Sequence, residues 1–347
     1  MSFDFDEITK LAQKYVATRP VIIIGSGASA PYGIPLMSEL AQKLLDNIDL
    51  DDDPWKEFKE RLIATSDLEL ALQEVNLPQG HVDTIINETW EVINTADVEF
   101  FVNALQTRSP IALSRLISYL LRTANPQLDI ITTNYDRVIE YAASFARAQV
   151  VTGFTAGWVK RFISNRLEST DFKKNPSYRG RIKLLKVHGS LDWFLDPDQE
   201  PIAITNARKI PDNYTPLIVA PGVTKFRTVL TKPPYFTILT QIESVLSEAN
   251  SYLSIGYGFN DEHIQPTLIR RVKKDGIPII ILTKTVSNAA RQVFLLDAPA
   301  KFLIFENHPK GTMIYSPEFI AGHLVPDKDY WKLDEFITLI STEGKTL

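Results

Sequence analysis

The stretch Val21-Ile22-Ile23-Ile24-Gly25-Ser26-Gly27-Ala28-Ser29-Ala30-Pro31-Tyr32-Gly33-Ile34-Pro35 sets four branched apolar residues directly before a glycine-rich turn. Four such residues without alternation suit a strand buried on both faces, the kind found in parallel sheets covered by helices. Gly25 and Gly27 allow close backbone approach at the strand end, and the amides that follow are suited to the charge of a pyrophosphate. The run also fits the G-x-G-x-x-A fingerprint of dinucleotide-binding dehydrogenases, which requires a second strand ending in an acidic residue about 20 positions on. Residues 38–48 read as helix instead, which disfavours a plain dehydrogenase. A tight strand–helix turn without a ligand is the competing reading of the motif.

Working outward, further apolar runs rich in isoleucine and valine fall at residues 128–131, 182–187, 216–219, 252–255, 277–282 and 302–305. Helical periodicity lies between many of them, at 135–147, 235–248, 262–274 and 287–295. This alternation predicts an α/β fold: a doubly wound, mainly parallel, Rossmann-like sheet. The interval 37–122 has no strand-like run. Its helical patterns at 36–45, 55–63, 67–75, 82–93, 98–105 and 111–121, punctuated by Pro54, Pro78 and Pro110, predict a large helical insertion between the first two strands. The domain reading is therefore an α/β domain over 1–36 and 123–347 with an insertion over 37–122. Residues 155–181 and 192–215, with their Gly, Pro and Asn, are expected to form loops beside the site.

Composition narrows the function. The 347 residues are 44% hydrophobic, enough to bury a large core, and the formal net charge is -5. That balance argues against direct nucleic-acid binding, which needs a basic field. Local basic runs at Lys160, Arg161 and Arg166, or at Arg270, Arg271, Lys273 and Lys274, read as solvated helix faces. Cysteine is absent, which excludes disulfides, thiolate catalysis and a cysteine-ligated metal. No apolar run is long enough to span a membrane and the acidic first residues lack the form of a signal peptide, so a cytoplasmic location is expected.

Three more segments carry chemistry. Ile130-Ile131-Thr132-Thr133-Asn134-Tyr135-Asp136 stands at the end of an apolar run, the edge at which open α/β sheets bind ligands. Asn134 and Asp136 equally suit the cap of the next helix. Lys186-Val187-His188-Gly189-Ser190 places a histidine at a strand end, where a neutral imidazole can act as a general base; a histidine merely hydrogen-bonded in a turn is the alternative. Ser254-Ile255-Gly256-Tyr257-Gly258-Phe259-Asn260-Asp261 is a strand, a glycine turn and a helix start, suited to an anion or a ribose, with Asn260 or Asp261 also readable as an N-cap.

The order of these segments, Gly-Ser-Gly-Ala-Ser with Gly-Ile-Pro, then Thr-Asn-Tyr-Asp, then His-Gly, then a late glycine loop, resembles the sirtuin superfamily over roughly residues 20–285. The resemblance implies NAD as substrate, with no metal. Gly25, Ser26, Gly27, Ala28 and Ser29 would cradle the pyrophosphate, with Gly33, Ile34, Pro35 and Thr133 also on the binding surface. Asn134 would lie beside the reactive ribose, Asp136 would meet the nicotinamide carboxamide, and His188 would be the general base. Gly256, Tyr257 and Gly258 would face the adenosine side, a looser match. Two departures separate the chain from protein-deacylating sirtuins. It has no cysteines for their zinc module, and its Gly-Ile-Pro is followed by Leu36-Met37-Ser38 rather than Asp-Phe-Arg. It looks more like the bacterial sirtuin-like NAD glycohydrolases of antiphage defence, which implies a homo-oligomer and a HerA-type translocase as a candidate partner. The insertion and the segment 315–347 are the expected assembly surfaces. A non-catalytic NAD or ADP-ribose sensor, and a deacylase or ADP-ribosyltransferase, are the competing functions.

Overall fold

The computed structural model describes residues 4–107, 111–122, 126–168, 177–219 and 232–341. Its centre is a nine-stranded sheet. In spatial order the strands are β13 (Phe319–Pro326), β12 (Gly311–Ser316), β11 (Phe302–His308), β10 (Ile279–Thr283), β9 (Tyr252–Ile255), β1 (Val21–Ile24), β2 (Gln127–Thr132), β5 (Gly180–Lys186) and β3 (Ala148–Val151). From β11 to β3 every pairing is parallel; β12 and β13 add an antiparallel hairpin at one edge. The doubly wound, mainly parallel fold read from the sequence is the fold observed.

The two faces of the sheet follow from the period of two along each strand. Ile22, Ile24 and Ile130 point to one core, with Ala12 and Val16 of α1 (Phe5–Ala17), Leu116 and Ile117 of helix Ala112–Leu120, and Phe336 of helix Leu333–Ser341. Ile23, Ile131 and Leu185 point to the other, with Ile238 and Ile242 of helix Tyr235–Glu248 and Leu268 of helix Gln265–Lys273. Both faces are covered, which is why these strands are apolar without alternation. Helix Ala112–Leu120, the last of the stretch 37–122, thus packs on the sheet. Of the segment 315–347, helix Leu333–Ser341 lies in the core against α1; residues 342–347 are outside the described residues.

Three local expectations are corrected. Residues 155–181 and 192–215 do not form only loops. Strands β4 (Val159–Arg161), β6 (Gly189–Leu195), β7 (Pro201–Ile204) and β8 (Thr215–Ile218) make a second, antiparallel sheet in the order β4-β7-β6-β8, while residues 169–176 are outside the described residues. The run at 216–219 therefore belongs to this small sheet and not to the parallel one. The patterns at 82–93 and 98–105 are one helix, α5 (Gln79–Thr107). Asn94 and Asp97, which lie between the two patterns, are buried within this helix. With helices Met37–Asn47, Asp53–Thr65 and Leu68–Glu74, α5 encloses a third core around Trp55, Phe58 and Trp90, and this core leans on Leu191 and Phe194 of β6.

Candidate functional site

The strand order brings the four motifs together. β9, β1, β2 and β5 are consecutive neighbours and parallel, so Gly256, Gly25, Asn134 and His188 all leave the sheet at its carboxyl edge. The chain passes from β1 to one side of the sheet and returns to its other side at β9, so the edge beside β1 is a switch point of the kind where open α/β sheets hold ligands.

At the end of β1 the chain makes two short 3-10 turns, Ser26–Ala28 and Ala30–Tyr32, and Gly33 closes the second with φ +80°. The glycines fit each other. A Cβ on Gly25 would stand 2.5 Å from the Gly256 carbonyl oxygen, and one on Gly256 (φ +58°) would stand 2.3 Å from the Ala28 nitrogen. The Gly25 N–H donates to the Ile255 carbonyl and the Gly27 N–H to that of Gly256, both at 3.1 Å, while the Ala28 and Ser29 amides close onto Gly25 and Ser26. The expected glycine requirement is thus met by loop-to-loop contact, and these amides are engaged within the fold. Ser26, Gly27, Gly33 and Gly258 are exposed at the edge, and Ala28, Pro35, Thr133 and Gly256 are partly open. Ile34 and Tyr257 are core residues: Ile34 packs with the insertion helices and Tyr257 against Phe259, ring centres 4.9 Å apart. The Thr133 N–H donates to the Ile24 carbonyl at 3.3 Å, tying β2's end to β1.

Asn134 and Asp136 lie just beneath this surface, both buried. The Asn134 Nδ2 donates to the Gly25 carbonyl at 3.1 Å and to Ser29 Oγ at 3.0 Å. Ser29 in turn hydrogen-bonds the Asp136 carboxyl, which also accepts the Val138 N–H at 3.1 Å. Burial pushes the Asp136 carboxyl up to about 6, with the charge of Lys186 opposing and that of Asp97 adding. Asp136 stands one residue before Arg137, the N-cap of helix Val138–Phe145, and accepts that helix's first N–H.

His188 follows β5, and its Nε2 lies 2.8 Å from Asp261 Oδ2. The imidazole is 28% exposed and the carboxyl 6%. Asp261 Oδ1 accepts the His263 and Ile264 N–H groups at 2.9 and 3.0 Å, so Asp261 both caps the next helix and orients the histidine. Burial works against its charge, but the hydrogen bond and charge of His188 and the His263 amide hold it below the usual carboxylate range. Two acids at one edge are thus driven in opposite directions, a pattern found where acid and base roles are divided. With the aspartate accepting, Nε2 is the donating ring nitrogen, which leaves Nδ1 as the one that can serve as a base when the ring is neutral. Gly189 (φ +88°) permits the turn, since a Cβ there would meet the Leu217 carbonyl oxygen at 1.9 Å.

Sequence reasoning missed the charges that hold this edge from below. Arg137 is buried; its Nε and backbone N–H donate to Asp97 of α5 at 2.8 and 2.6 Å, NH1 to Asp192 of β6 at 2.8 Å, and NH2 to Asn94 at 2.7 Å. Tyr141 donates to the same Asp97 at 2.5 Å. The Trp90 Nε1 donates to the Leu191 carbonyl at 2.9 Å, so α5 grips both the Asn134 loop and the strand after His188. Lys186, fully buried at the end of β5, was legible as a charge interrupting the run Leu184-Leu185-Lys186-Val187. Among the described residues no group of three or more His, Asp or Glu side chains is arranged to hold a metal ion, and no helix is long and apolar enough to cross a membrane.

A SIR2-like domain model matches residues 129–293, a span that contains Asn134, Asp136, His188, Gly256 and Asp261 and leaves the Gly25 turn outside. Among solved structures, the chain is similar to a sirtuin studied for the structural basis of substrate affinity, at 14% identity over 99% of this chain and 100% of that one, with a TM-score of 0.47. It is similar to a Sir2 homologue in complex with ADP ribose at 14% identity over 97% and 96% of the two chains, TM-score 0.47. A Sir2 homolog–NAD complex is matched at 14% identity over 87% and 89%, TM-score 0.38. No curated protein sequence matches the chain.

Proposed function

We propose that this chain binds NAD across the carboxyl edge of β9, β1, β2 and β5 and breaks its nicotinamide–ribose bond with water, giving nicotinamide and ADP-ribose. The observation that carries the reading is the meeting of four separate motifs on adjacent strand ends beside a half-open histidine with a buried aspartate partner. The SIR2-like match over residues 129–293 supports it.

The leaving group is a cationic pyridinium, so its nitrogen takes the bonding electron pair without needing a proton. What the protein must supply is position, dryness and a base. Water forms the new C–O bond, and its proton, or that of a ribose hydroxyl, passes to His188 Nδ1 while Asp261 stabilises the imidazolium through Nε2. Asn134 has both amide donors fixed, so Oδ1 is the atom it presents to the water or the ribose. Asp136 takes the nicotinamide carboxamide; Ser29 covers it in this conformation, so that contact requires Ser29 to turn aside. Ser26 and Gly27, open at the end of β1, face the phosphates, with Gly258 on the adenosine side.

Unrestrained NAD loss would exhaust a cell. We therefore read the chain as a cytoplasmic antiphage effector held in check within a homo-oligomer, with a HerA-type translocase as the partner its resemblance suggests. Incubating the purified chain with NAD, and following nicotinamide and ADP-ribose by chromatography, tests the reaction. Equal amounts of both products are expected. Nicotinamide released only when an acyl-lysine peptide is added would replace hydrolysis by deacylation, and NAD binding without any product would leave a sensor.

A further inference from the structure

Lys186 stands two residues before His188 and is fully buried. Removing an ammonium from water is costly, and a buried site that needs only volume is filled as well by an apolar side chain. Here the ammonium has three acceptors: the Asp136 carbonyl at 2.6 Å, the Tyr135 carbonyl at 3.4 Å and Glu140 Oε1 at 2.9 Å. Two of them are main-chain carbonyls of the loop that aims Asn134 and Asp136. The rest of that loop is also held largely from outside. The Asn134 N–H donates to Thr132 Oγ1 at 3.1 Å, the Arg137 N–H to Asp97 at 2.6 Å, and the Tyr135 carbonyl accepts the Leu191 N–H at 3.1 Å. Thr132 is itself fixed to the Ile24 carbonyl at 2.9 Å.

We propose that Lys186 is a positioning residue for NAD cleavage: it ties the Asn134–Asp136 loop to the strand end that carries His188, so that one rigid element sets the distance between the two halves of the site. The inference rests on the NAD reading for its catalytic consequence and on the carbonyl contacts for its geometry. Glu140 is the counter-charge: its Oε1 lies 2.9 Å from the ammonium, and its side chain is 23% exposed. Lys186 itself touches no reacting atom in this scheme.

The test compares Lys186→Met/Glu140→Gln, which removes both charges together, with Glu140→Gln alone. The double variant should fall about 10²-fold in kcat, the scale of a misplaced catalytic group, with KM little changed and a thermal midpoint lowered by the loss of the donor to the Asp136 carbonyl. Glu140→Gln keeps the carbonyl bonds and should turn over near the wild-type rate. Wild-type kcat in the double variant overturns the proposal. Should the double variant not fold, Lys186→Met alone decides: a fall in kcat with KM held supports the carbonyl ties, and wild-type turnover overturns them. If the wild-type chain consumes no NAD, the NAD reading fails separately and amide hydrogen exchange takes over. Faster exchange at Asn134 and Arg137 in the double variant supports the loop tie, and unchanged exchange overturns it.

Discussion

Two histidine–aspartate pairs of nearly the same geometry lie in different regions of this molecule. At the sheet edge His188 meets Asp261 at 2.8 Å; in the insertion His81 meets Asp52 at 2.8 Å. In each, the aspartate also caps a helix, Asp52 accepting the Trp55 N–H at 3.2 Å and Asp261 those of His263 and Ile264. The difference is in exposure. At the edge the histidine is open, 28%, over an acid that is 6% exposed; in the insertion the histidine is covered, 13%, and the acid is open, 49%. A base must be reachable and its orienting partner hidden, so only the edge pair has the arrangement that general-base work needs. His81 instead lies beside the Trp55 ring in the insertion core, where its bond to Asp52 joins the starts of two helices.

The comparison is broken most easily at His188. His188→Ala should lower NAD turnover by about 10²–10⁴-fold, the usual value of a general base. Equal turnover in wild type and variant, read by product chromatography, would remove the distinction between the pairs.

The next effect is on stability. The carboxyl of Asp136 is raised from 3.8 to about 6, so the folded state holds its proton more tightly than the unfolded chain. Stability contributed by the neutral acid is full below about pH 4 and is lost as pH rises through about 6, by on the order of 3 kcal/mol. Asp136→Asn should escape that loss and gain on the wild type between pH 4 and pH 7, as measured by denaturant unfolding. A difference that does not vary with pH would contradict it. In the insertion, by contrast, the His81 hydrogen bond lowers the Asp52 carboxyl, so that acid favours folding once ionised.

Asp261→Asn should leave the histidine in place but poorly oriented, and lower kcat by a smaller factor than His188→Ala. A wild-type rate would reduce Asp261 to a helix cap. The smallest effect is expected for His81→Ala: unchanged NAD turnover with a modest drop in thermal midpoint. A loss of turnover matching that of His188→Ala would show the insertion pair to be part of the chemistry.

Much of this was legible where the signal is local. The run 21–24 and the helix at 235–248 are found at their expected bounds, because an apolar run or an apolar stripe reports directly on burial. The joining of four motifs on one edge was also legible, since parallel strands put their following loops on the same side. What escaped was non-local. Asp261 reads as a cap, and it is one; that its second oxygen holds a histidine 73 positions earlier is visible only in three dimensions. Asn94 and Asp97 lie between two helical patterns read as separate, and their partner, Arg137, is remote in sequence. Of the small antiparallel sheet, β8 was read as a strand but placed in the parallel sheet, and β4, β6 and β7 were missed because Gly, Pro and Asn in and around them are the signature of turns.

The most direct measurement of the central claim is a crystal structure of the His188→Ala chain soaked with NAD. The account predicts the dinucleotide along the carboxyl edge, with the nicotinamide ribose within about 3–4 Å of the space left by the imidazole and Asn134 Oδ1 turned toward it. NAD bound elsewhere, with its reactive ribose far from position 188, would contradict the assignment of this edge as the active site.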